Sequence, residues 1–556
     1  MIERPVHRAS SFPGVVGPAT GAPVPGLGAI VMAAGIGKRM KSKLAKVLHP
    51  VAGRPMILYI VELAERLAGA GVAVVVGHQA GRVRALLEGR AIADRRASRT
   101  AIVEQPEPLG TGHAVLQAKP VFFVSSLERP ATFLILNGDT PLLTEATIRE
   151  LLRVHETDHA TATILTAVLE DATGYGRIVR SNPVGDNRPD LLDCRVLKIV
   201  EDCDASPEER RLREVNVGTY VVDGGFLFEA LDALQPHNAQ REYYLTDLVT
   251  LAVERGLRVS AVTLSDPEEG LGVNTRWQLA RAERAMRERI RERWLDAGVT
   301  MRDPATTWID AGVVIGPDTV LYPNVTLEGS TVIGEDCVIH SNVRLTDCVL
   351  GNRVEILEHC VFREARLEDD TTLGPFVHLR PGTVVRRKAK VGNFVEMKNT
   401  DLGEGSKANH LSYLGDTVVG KGVNIGAGTI TCNYDGVRKY RTVIEDDVFV
   451  GSDAQLIAPV TVGRGAVVAA GTTVTQDVPA DALAIARAPQ VNREGWAARR
   501  RALHTGGDRE ATPVKPPANS ERNALHASRT APGQPPGTKK RTSFSKGKKT
   551  GKQARS

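Results

Sequence analysis

A hydrophobic period of six residues runs through the second half of the chain and limits its possible folds more than any other feature. From Ile315 to Leu345 every sixth position is apolar, and after single-residue slips the period continues to Val474. Ordinary strands alternate with a period of two, so a sustained period of six with Gly, Asn or Asp at the corners predicts a parallel β-helix. Three hexapeptides form one triangular coil, which buries its inward residues only against neighbouring coils.

The first half has a different pattern, in which short β-branched runs alternate with helical stretches. Strands are predicted at residues 29–34, 72–77, 132–138, 161–169 and 219–224. Helical stretches such as 55–69 lie between them, so βαβ units and a largely parallel sheet are predicted. Residues 276–297 are rich in helix formers and predict a long linking helix.

These patterns divide the chain into five predicted segments. They are a disordered extension at 1–27, an α/β domain at 28–275, a linker helix at 276–303, a β-helix domain at 304–499 and a basic disordered tail at 500–556. The extension is rich in Pro and Gly, and an upstream start choice is an alternative explanation for it. The tail has too few apolar residues to bury a core.

The formal net charge of +6 is concentrated in the tail. From Arg501 to Ser556 the chain carries 13 Lys and Arg against three Asp and Glu, so the rest of the chain is net acidic. This distribution argues against nucleic-acid binding by the folded part. For the tail itself, a solubilising role is favoured over weak anchoring to an anionic polymer.

Composition and patterning exclude several classes of protein. With 42% apolar residues the chain has enough material for real cores. No apolar run approaches the roughly 20 residues needed to cross a bilayer, and the N-terminus lacks the apolar core of a secretory signal. Six cysteines without a CxxC pair argue against a disulfide framework or a zinc finger. We therefore expect no membrane partner and a cytoplasmic location.

A glycine-rich turn after the first predicted strand is the first candidate for chemistry. The turn spans residues 33–40 and fits neither the Walker A loop nor the dinucleotide fingerprint, because Arg39 and Met40 stand at required positions. Arg39 and the nearby Lys46 could neutralise a triphosphate. Asp139 ends a buried strand, where α/β sheets collect ligands, and could hold Mg²⁺.

His410 is the best catalytic candidate in the β-helix. By the hexapeptide register, His340, His359 and His378 do not stack, so they are predicted to be solvent-exposed and a zinc site is disfavoured. His410 lies near a break in the period at Asn433, and such breaks become protruding loops on a binding face. A histidine oriented by an Asn or a backbone group is a competent general base near pH 7.

Several strings also resemble a known family. AAGIGKRM, LGTGHA, NGDTPLL and GYGRIV are similar to sugar-1-phosphate nucleotidyltransferases. Joined to the hexapeptide half, they resemble the bacterial family of bifunctional N-acetylglucosamine-1-phosphate uridyltransferases and glucosamine-1-phosphate acetyltransferases, from about Gly28 to Trp496. The resemblance implies a Rossmann-like nucleotidyltransferase domain followed by a left-handed parallel β-helix, with Mg²⁺ as cofactor and UTP and acetyl-CoA as co-substrates. It also implies a homotrimer.

For the first half, the resemblance implies a UTP and sugar site. Arg39 and Lys46 match the phosphate-activating cations, and the metal ligands match Asp139 and Asn274. The residues implied to bind UTP or the UDP-sugar are Ala33, Ala34, Gly35, Lys46, Gln105, Gly110, Thr111, Gly176, Glu201, Asn216 and Asn274. The chain departs from the family pattern at Lys38, Asn137 and Cys203, and the last departure is expected to leave Asp202 and Asp204 less compensated.

For the second half, the resemblance implies that His410 removes a proton from the sugar amine as the amine attacks acetyl-CoA. A backbone N–H near Ser452 would stabilise the oxyanion. The implied sugar-phosphate contacts are Arg380, Lys398, Tyr413, Asn424, Asn433 and Tyr434. The implied acetyl-CoA contacts are Ala427, Asn433, Tyr434, Ser452, Ala470 and Arg487.

Two other functions remain open at this point. The first is a monofunctional sugar-1-phosphate nucleotidyltransferase whose β-helix is only regulatory. The second is a non-enzymatic assembly subunit that combines both folds. The first alternative would not need His410, Asn433 and Arg380 together, and the second would not need phosphate- or metal-binding groups such as Lys46 and Asp139.

Overall fold

The structure, a computed structural model, describes residues 21–94, 100–123, 129–181 and 195–505. Residues 1–20 of the predicted extension and the tail from residue 506 onward lie outside these ranges. Contacts divide the chain after Arg487, and the described part of the second unit contains one helix, α9 (Trp496–Thr505). Within the described ranges no helix is long and apolar enough to span a bilayer.

The first half is built on a twisted sheet with helices on its faces. Its strands are β1 (Leu27–Ala33), β2 (Pro50–Val51), β3 (Arg54–Pro55), β4 (Val72–Val76), β5 (Thr100–Glu104), β6 (Thr132–Asn137), β7 (Ala162–Val168), β8 (Arg177–Arg180), β9 (Val196–Val200), β10 (Glu214–Asp223) and β11 (Val259–Thr263). Its helices are α1 (Met56–Leu67), α2 (Ala80–Asp94), α3 (Thr111–Leu116), α4 (Lys119–Phe123), α5 (Glu145–Thr157), α6 (Gly224–Ala233) and α7 (Asp247–Glu254).

The main sheet has the strand order β11-β7-β10-β6-β1-β4-β5, with β8 and β9 attached through β10. Strands β6, β1, β4 and β5 run parallel, so their carboxyl ends meet at one edge. Strand β10 is antiparallel to both of its neighbours β6 and β7. The predicted largely parallel sheet is therefore confirmed. The predicted strand at 219–224 corresponds to the second part of β10, which is antiparallel to its neighbours.

Strands β1 and β4 are continuous apolar runs because helices cover both faces of the sheet. Every residue of β4 is buried, as are all but one of β1. Helix α1 packs nine of its twelve residues inward. This burial fixes the strand ends, and with them the loops that follow β1, β5 and β6 at the shared edge.

The second half is a left-handed parallel β-helix with three faces. Face A consists of Thr300–Met301, Val320–Leu321, Val338–Ile339, Glu355–Ile356, Thr372–Leu373, Lys390–Asn393, Lys407–His410, Asn424–Ile425, Phe449–Val450, Val467–Val468 and Leu483–Ala484. Face B consists of Trp308–Ile309, Thr326–Glu328, Arg344–Thr346, Val361–Arg363, His378–Leu379, Glu396–Lys398, Tyr413–Gly415, Ile430–Cys432, Gln455–Ile457 and Thr473–Val474. Face C consists of Val314–Ile315, Val332–Ile333, Val349–Leu350, Arg366–Leu367, Val384–Val385, Asp401–Leu402, Thr417–Val419, Thr442–Ile444 and Val460–Val462.

The six-residue period corresponds to the inward positions of these faces. The predicted inward residues from Ile315 to Leu345 are all at most 3% exposed. Val320 pairs with Val338, eighteen residues later, whereas Val332 pairs with Val349, seventeen residues later. The single-residue slips in the sequence are thus coils shortened by one residue, and the inward register survives them.

Helix α8 (Arg276–Asp296) connects the two halves, as predicted. Its Met286 and Ile290 are buried in the same hydrophobic cluster as the β-helix interior. The β2–β3 hairpin contacts both α8 and the β-helix. The Ala52 amide donates to Glu283 Oε2 of α8 at 2.7 Å, and the Ala52 carbonyl accepts from the Ala311 amide of the β-helix at 2.9 Å. The remaining predicted domain boundaries stay predictions.

We predict that Phe362→Ala destabilises the β-helix far more than Val361→Ala. Phe362 is fully buried, whereas its neighbour Val361 points outward and is 38% exposed. Removing a buried phenyl group from a packed core costs about 3–5 kcal/mol, and an exposed substitution about 0.5 kcal/mol. Denaturant unfolding of the two variants measures this difference. Equal loss of stability would contradict the inward assignment of the period.

Candidate active sites

The loop after β1 brings Lys46 to the carboxyl edge of the sheet. Gly37 has φ of 67°, and a Cβ at this position would lie 2.7 Å from the Lys46 Cβ. Only glycine adopts this conformation freely and leaves that space empty. The glycine-rich turn therefore serves to let the segment carrying Lys46 pack directly against it.

Lys46 meets Asp139 and Asn274 at one point. Its Nζ contacts Asp139 Oδ2 and lies 2.9 Å from Asn274 Oδ1. Asp139 follows β6, and Asn274 precedes α8, whose first turn is closed by a capping box between Thr275 and Gln278. Two hard oxygen donors thus converge where an ammonium group already lies, which is the donor chemistry that Mg²⁺ selects.

A cavity of about 220 Å³ opens beside this point. The predicted residues that line it are Arg39, Thr111, Asp139, Gly176, Glu201, Asn216 and Asn274. The predicted residues that do not line it are Ala33, Ala34, Gly35, Lys46, Gln105 and Gly110. The structure therefore gathers the metal and sugar candidates in one cavity, while the remaining candidates follow β1 and β5 along the same edge.

Arg39 lines this cavity with a side chain that is less restrained than that of Lys46. Its side chain is exposed and has no carboxylate partner within the described ranges. Lys46, by contrast, is held by Asp139. A polyanion entering the cavity therefore meets an uncompensated guanidinium, which binds phosphate oxygens in a bidentate manner.

Glu201 places a carboxyl group at the far side of the cavity. Burial raises its pKa, and Asp204, Asp247 and Asp202 raise it further, while a hydrogen bond from Thr246 at 3.3 Å opposes the shift. A carboxyl oxygen accepts hydrogen bonds from hydroxyl groups, so the position of Glu201 in the cavity suits contact with a sugar.

Asn216 and Asn137 shape the wall of the cavity next to a bulge in β10. Asn216 donates to Tyr220 Oη at 2.7 Å and accepts from the Gly218 amide at 3.0 Å. Asn137 donates from Nδ2 to the carbonyls of Val217 and Gly218. A Cβ at Gly218 would lie 2.2 Å from that Nδ2. Asn137, which departs from the family pattern, therefore connects the end of β6 to the bulge in β10.

Asp202 and Asp204, which are expected to be less compensated beside Cys203, both have partners in the structure. Asp202 pairs with the buried Arg177 at 3.1 Å. Asp204 accepts from the Ala239 amide at 3.0 Å and from Tyr244 Oη at 3.3 Å. These partners come from β8 and from the segment before α7, and long-range contacts of this kind leave no local signal in the sequence.

In the β-helix, one row of side chains follows the corner between faces A and B. The register of face A places five residues at equivalent positions of successive coils there: Asn393, His410, Ala427, Ser452 and Ala470. Arg487 reaches the carbonyl of Ala470. The predicted base and four of the predicted acetyl-CoA contacts therefore share one corner.

Asn393 fixes the tautomer of His410. Asn393 Oδ1 lies 3.1 Å from His410 Nδ1, and an amide oxygen only accepts, so the Nδ1 proton points to Asn393. His410 Nε2 is left with a lone pair, and the side chain is exposed. Asn393 was missed in the sequence, although it lies seventeen residues before His410, which is the length of one short coil.

A second row, at the other edge of face B, is cationic. Arg380 and Lys398 occupy the ends of neighbouring strands, and Arg380 donates to Glu396 at 2.9 Å. Lys439, which the sequence did not reveal, contacts Lys398 and lowers the pKa of its ammonium, helped by the charge of Arg380. An anion bound between these side chains would relieve that repulsion.

Asp416 is a further residue missed in the sequence, and it holds the amides beside this row. It accepts from Asn433 Nδ2 at 2.5 Å and from Asn399 Nδ2 at 2.7 Å. A Cβ at Gly415 would lie within 2.7 Å of both Tyr413 Oη and Asn433 Nδ2. Tyr413 and Asn433 thus come together only because residue 415 is glycine.

The predicted acetyl-transfer residues nevertheless fall into separate groups. His410 lies where face B begins, whereas Arg380, Lys398 and Asn433 lie where it ends. Asn424 lies on face A, and Tyr434 is exposed on the hairpin that interrupts the period between Cys432 and Thr442. Within the described residues, no hydrogen bond connects His410 to the cationic row.

The other β-helix histidines have local partners. His340 stacks on Tyr322 and is only half-buried, and His359 is exposed and stacks on Phe376. His378 lies 3.6 Å from Glu396. Over the described ranges, no group of three or more His, Cys, Asp or Glu side chains is arranged around a metal position. Asp139 and Asn274 together supply only one such side chain, so this pair does not form a group of three.

Comparisons with known proteins match both halves. A family model described as a MobA-like NTP transferase domain matches residues 29–242. A bacterial transferase hexapeptide model of six repeats matches 312–347, and a hexapeptide repeat of succinyl-transferase matches 441–476.

Whole-length relatives carry the name bifunctional protein GlmU. The one from Pelobacter propionicus is 50% identical over 468 residues, covering 84% of this chain and 97% of that protein. Those from Trichlorobacter lovleyi and Heliobacterium modesticaldum are 50% and 46% identical, and each covers 85% of this chain and 98% of the relative.

We predict that Gly37→Ala displaces Lys46 from its two oxygen partners. The added methyl group would collide with the Lys46 side chain, and φ of 67° disfavours alanine. A crystal structure of the variant should place Lys46 Nζ more than about 3.5 Å from Asn274 Oδ1, beyond hydrogen-bond reach.

Gly81→Ala is the matched control, since no atom lies within 4 Å of an added Cβ there. This control should leave the Lys46 contacts in place. An unchanged Lys46 position in Gly37→Ala would show that the loop does not set it.

Proposed function

This chain belongs to the family of bifunctional GlmU proteins, and we propose which of its residues carry each of two reactions. The enzyme makes UDP-N-acetylglucosamine, a precursor of bacterial cell-wall polymers. Its β-helix half transfers the acetyl group of acetyl-CoA to glucosamine-1-phosphate. Its first half transfers a uridylyl group from UTP to N-acetylglucosamine-1-phosphate and releases pyrophosphate. The alternatives of a monofunctional enzyme and of a scaffold are set aside.

Uridylyl transfer is assigned to the cavity beside Lys46. A phosphate oxygen of the sugar attacks the α-phosphorus of UTP, and the bond to pyrophosphate breaks. Arg39 and Lys46 neutralise the charge that builds on the phosphates. No general base is needed because the attacking phosphate monoester is already anionic. The observation that supports this assignment most is the convergence of Lys46, Asp139 and Asn274 at one point.

The enzyme depends on a metal ion, and we assign that ion as Mg²⁺ held by Asp139 and Asn274. The residues fit, because one carboxylate and one amide oxygen already share a cationic partner. Mg²⁺ commonly takes one or two protein carboxylates and completes its shell with phosphates and water. When bound, it neutralises phosphate charge and orients the triphosphate.

Substrate recognition is divided between the cavity and the neighbouring loops. The sugar is assigned to Gly176, Glu201 and Asn216, which line the cavity. The uridine is assigned to the ends of β1 and β5, through Ala33, Ala34, Gly35, Gln105, Gly110 and Thr111. Both groups border the same carboxyl edge of parallel strands, where α/β sheets bind nucleotides.

Acetyl transfer is assigned to the corner row that contains His410. His410 Nε2 removes a proton from the sugar amine as the nitrogen attacks the thioester carbon, and the CoA thiolate leaves. A backbone N–H near Ser452 stabilises the oxyanion. Acetyl-CoA is assigned to the contacts Ala427, Asn433, Tyr434, Ser452, Ala470 and Arg487. The sugar phosphate is assigned to Arg380, Lys398 and Lys439, with Tyr413, Asn424, Asn433 and Tyr434 around the sugar.

We propose that the enzyme is a homotrimer whose acetyl-transfer site uses more than one chain. His410 and the cationic row lie at opposite edges of face B, so one chain offers the base and the phosphate site in separate places. In a closed ring of three chains, the β-helices lie side by side, and the corner that carries His410 in one chain can face the cationic row of its neighbour. A cytoplasmic location is proposed with it, because UTP and acetyl-CoA are supplied there.

We predict that His410→Ala lowers acetyl transfer by about 10²–10⁴-fold, the usual contribution of a general base. Uridylyl transfer to pre-acetylated sugar phosphate should be unchanged. Thiol release and pyrophosphate release measure the two reactions. His359→Ala, an exposed corner residue with no assigned role, is the control and should retain both activities. Loss of both reactions in His410→Ala would argue against separate sites.

Asp139→Asn is the reciprocal variant. It removes the one carboxylate of the proposed metal pair, so pyrophosphate release should fall while thiol release persists. Asp232→Asn is its control, because Asp232 is an exposed partner of Lys119 and does not line the cavity. Full uridylyl transfer by Asp139→Asn would overturn the metal assignment.

A further inference from the structure

The loop between β1 and β2 carries both cations that are assigned to the phosphates, Arg39 and Lys46, and one arginine of α8 contacts this loop twice. Arg276 donates from Nε to the Met40 carbonyl at 3.2 Å and from Nη1 to His49 Nδ1 at 3.3 Å. Neither Arg276 nor His49 has a role in the assignments of the two reactions. A single side chain therefore joins the loop to α8 at two points.

These two points adjoin the two cations. Met40 follows Arg39 directly, and the amide of His49 donates to the Lys46 carbonyl at 3.2 Å. Met40 and His49 are both buried, so neither moves without repacking its surroundings. The contacts of Arg276 therefore act on backbone that is directly continuous with each cation.

The bond to His49 requires one tautomer of the ring. An arginine side chain has no acceptor, so His49 Nδ1 is unprotonated and the ring proton lies on Nε2. Burial and the charge of Arg276 lower the pKa of His49, while a backbone interaction with Leu44 opposes this shift. The neutral ring, which the burial favours, is thus the form that accepts from Arg276.

The start of α8 also holds Asn274, the assigned metal ligand. Gln278 Oε1 accepts from the Asn274 amide at 2.8 Å and from the Thr275 amide at 3.0 Å. Arg276 is the first residue of α8, two positions after Asn274. The backbone that carries the metal ligand and the arginine that contacts the loop therefore belong to one short, hydrogen-bonded segment.

We propose that Arg276 is a positioning residue for uridylyl transfer, which holds Arg39 and Lys46 at a fixed distance from Asn274. This rests on the proposed roles of those three residues in the reaction. The cations and the metal ion must bind the same triphosphate at once. A small error in their separation is costly, because each group then binds only at the expense of another.

Calorimetry of UTP binding, without and with Mg²⁺, tests the proposal. The ratio of the two dissociation constants measures how far the metal ion strengthens nucleotide binding. Arg276→Met should reduce this ratio by about tenfold, the size of one hydrogen bond, and lower kcat/KM in pyrophosphate release. Arg284→Met, the same change at another exposed position of α8, should alter neither quantity. An unaltered ratio in Arg276→Met would overturn the proposal.

Gln79 offers a matched comparison, because it holds the same loop from another element. Its Nε2 donates to the Lys43 carbonyl at 2.7 Å, and its Oε1 accepts from the Ala45 amide at 3.3 Å. Gln79→Leu should therefore weaken UTP binding by the same factor without and with Mg²⁺, and leave the ratio in place. If the ratio falls as far in Gln79→Leu as in Arg276→Met, order of the loop alone is responsible and the specific role of Arg276 is wrong.

His49 provides an independent test of the contact. His49→Leu removes the acceptor and should reduce the ratio, whereas His49→Asn keeps an amide oxygen near the Nδ1 position and should restore most of it. The double variant Arg276→Met/His49→Leu should have a defect no larger than that of Arg276→Met, because both changes remove one shared contact. Defects that multiply in the double variant would contradict this.

Further measurements separate the possible failures. An unaltered thermal unfolding transition shows that each variant is folded. If Lys46→Met keeps full uridylyl transfer, the proposed site itself is wrong. If Lys46→Met loses it while Arg276→Met behaves as the unaltered protein, only the positioning role is overturned. If His49→Leu does not fold, Arg276→Lys replaces it, and its single ammonium group should give an intermediate ratio.

Discussion

The stacking of inward side chains from coil to coil is the constraint on which the second half of the molecule depends. Each coil buries residues such as Leu345 and Phe362 only against the coils next to it, so the backbone register cannot slip without exposing them. Outward residues alternate with these inward residues on the same strands, so they have the same register from coil to coil. Side chains seventeen or eighteen residues apart form straight rows, and the corner row of His410 is one of them.

The first half solves a different problem, which is to bring distant segments to one edge of a sheet. Parallel strands place the residues after β1, β5 and β6 side by side. Close backbone approach at Gly37 and the capping box of α8 then bring Lys46, Asp139 and Asn274 together. The hairpin that begins at Pro50 lies only four residues after Lys46 and packs on both α8 and the first coil. The loop that carries Lys46 is thereby anchored at the junction of the two halves.

Much of this architecture could be predicted from the sequence, because its causes are periodic or local. The period of six, the strand–turn–helix pattern and the linking helix all repeat or follow one another along the chain. Asn393 and Asp416 could also have been found, since each lies one coil before the residue that it orients. Lys439 and the pairing of Asp202 with Arg177 could not, because a loop and a strand meet their partners through tertiary packing. The separation of His410 from the cationic row depends on which edge of a face each residue occupies, and that requires the corners to be located.

The central claim is that the base and the phosphate site of acetyl transfer are built from rows on different edges of the prism and meet between chains. A crystal structure of the full chain with CoA and glucosamine-1-phosphate tests it most directly. The account predicts the sugar amine beside His410 Nε2 of one chain, with its phosphate on Arg380, Lys398 and Lys439 of a neighbouring chain. A sugar phosphate bound entirely within one chain, or at a position remote from His410, would contradict it.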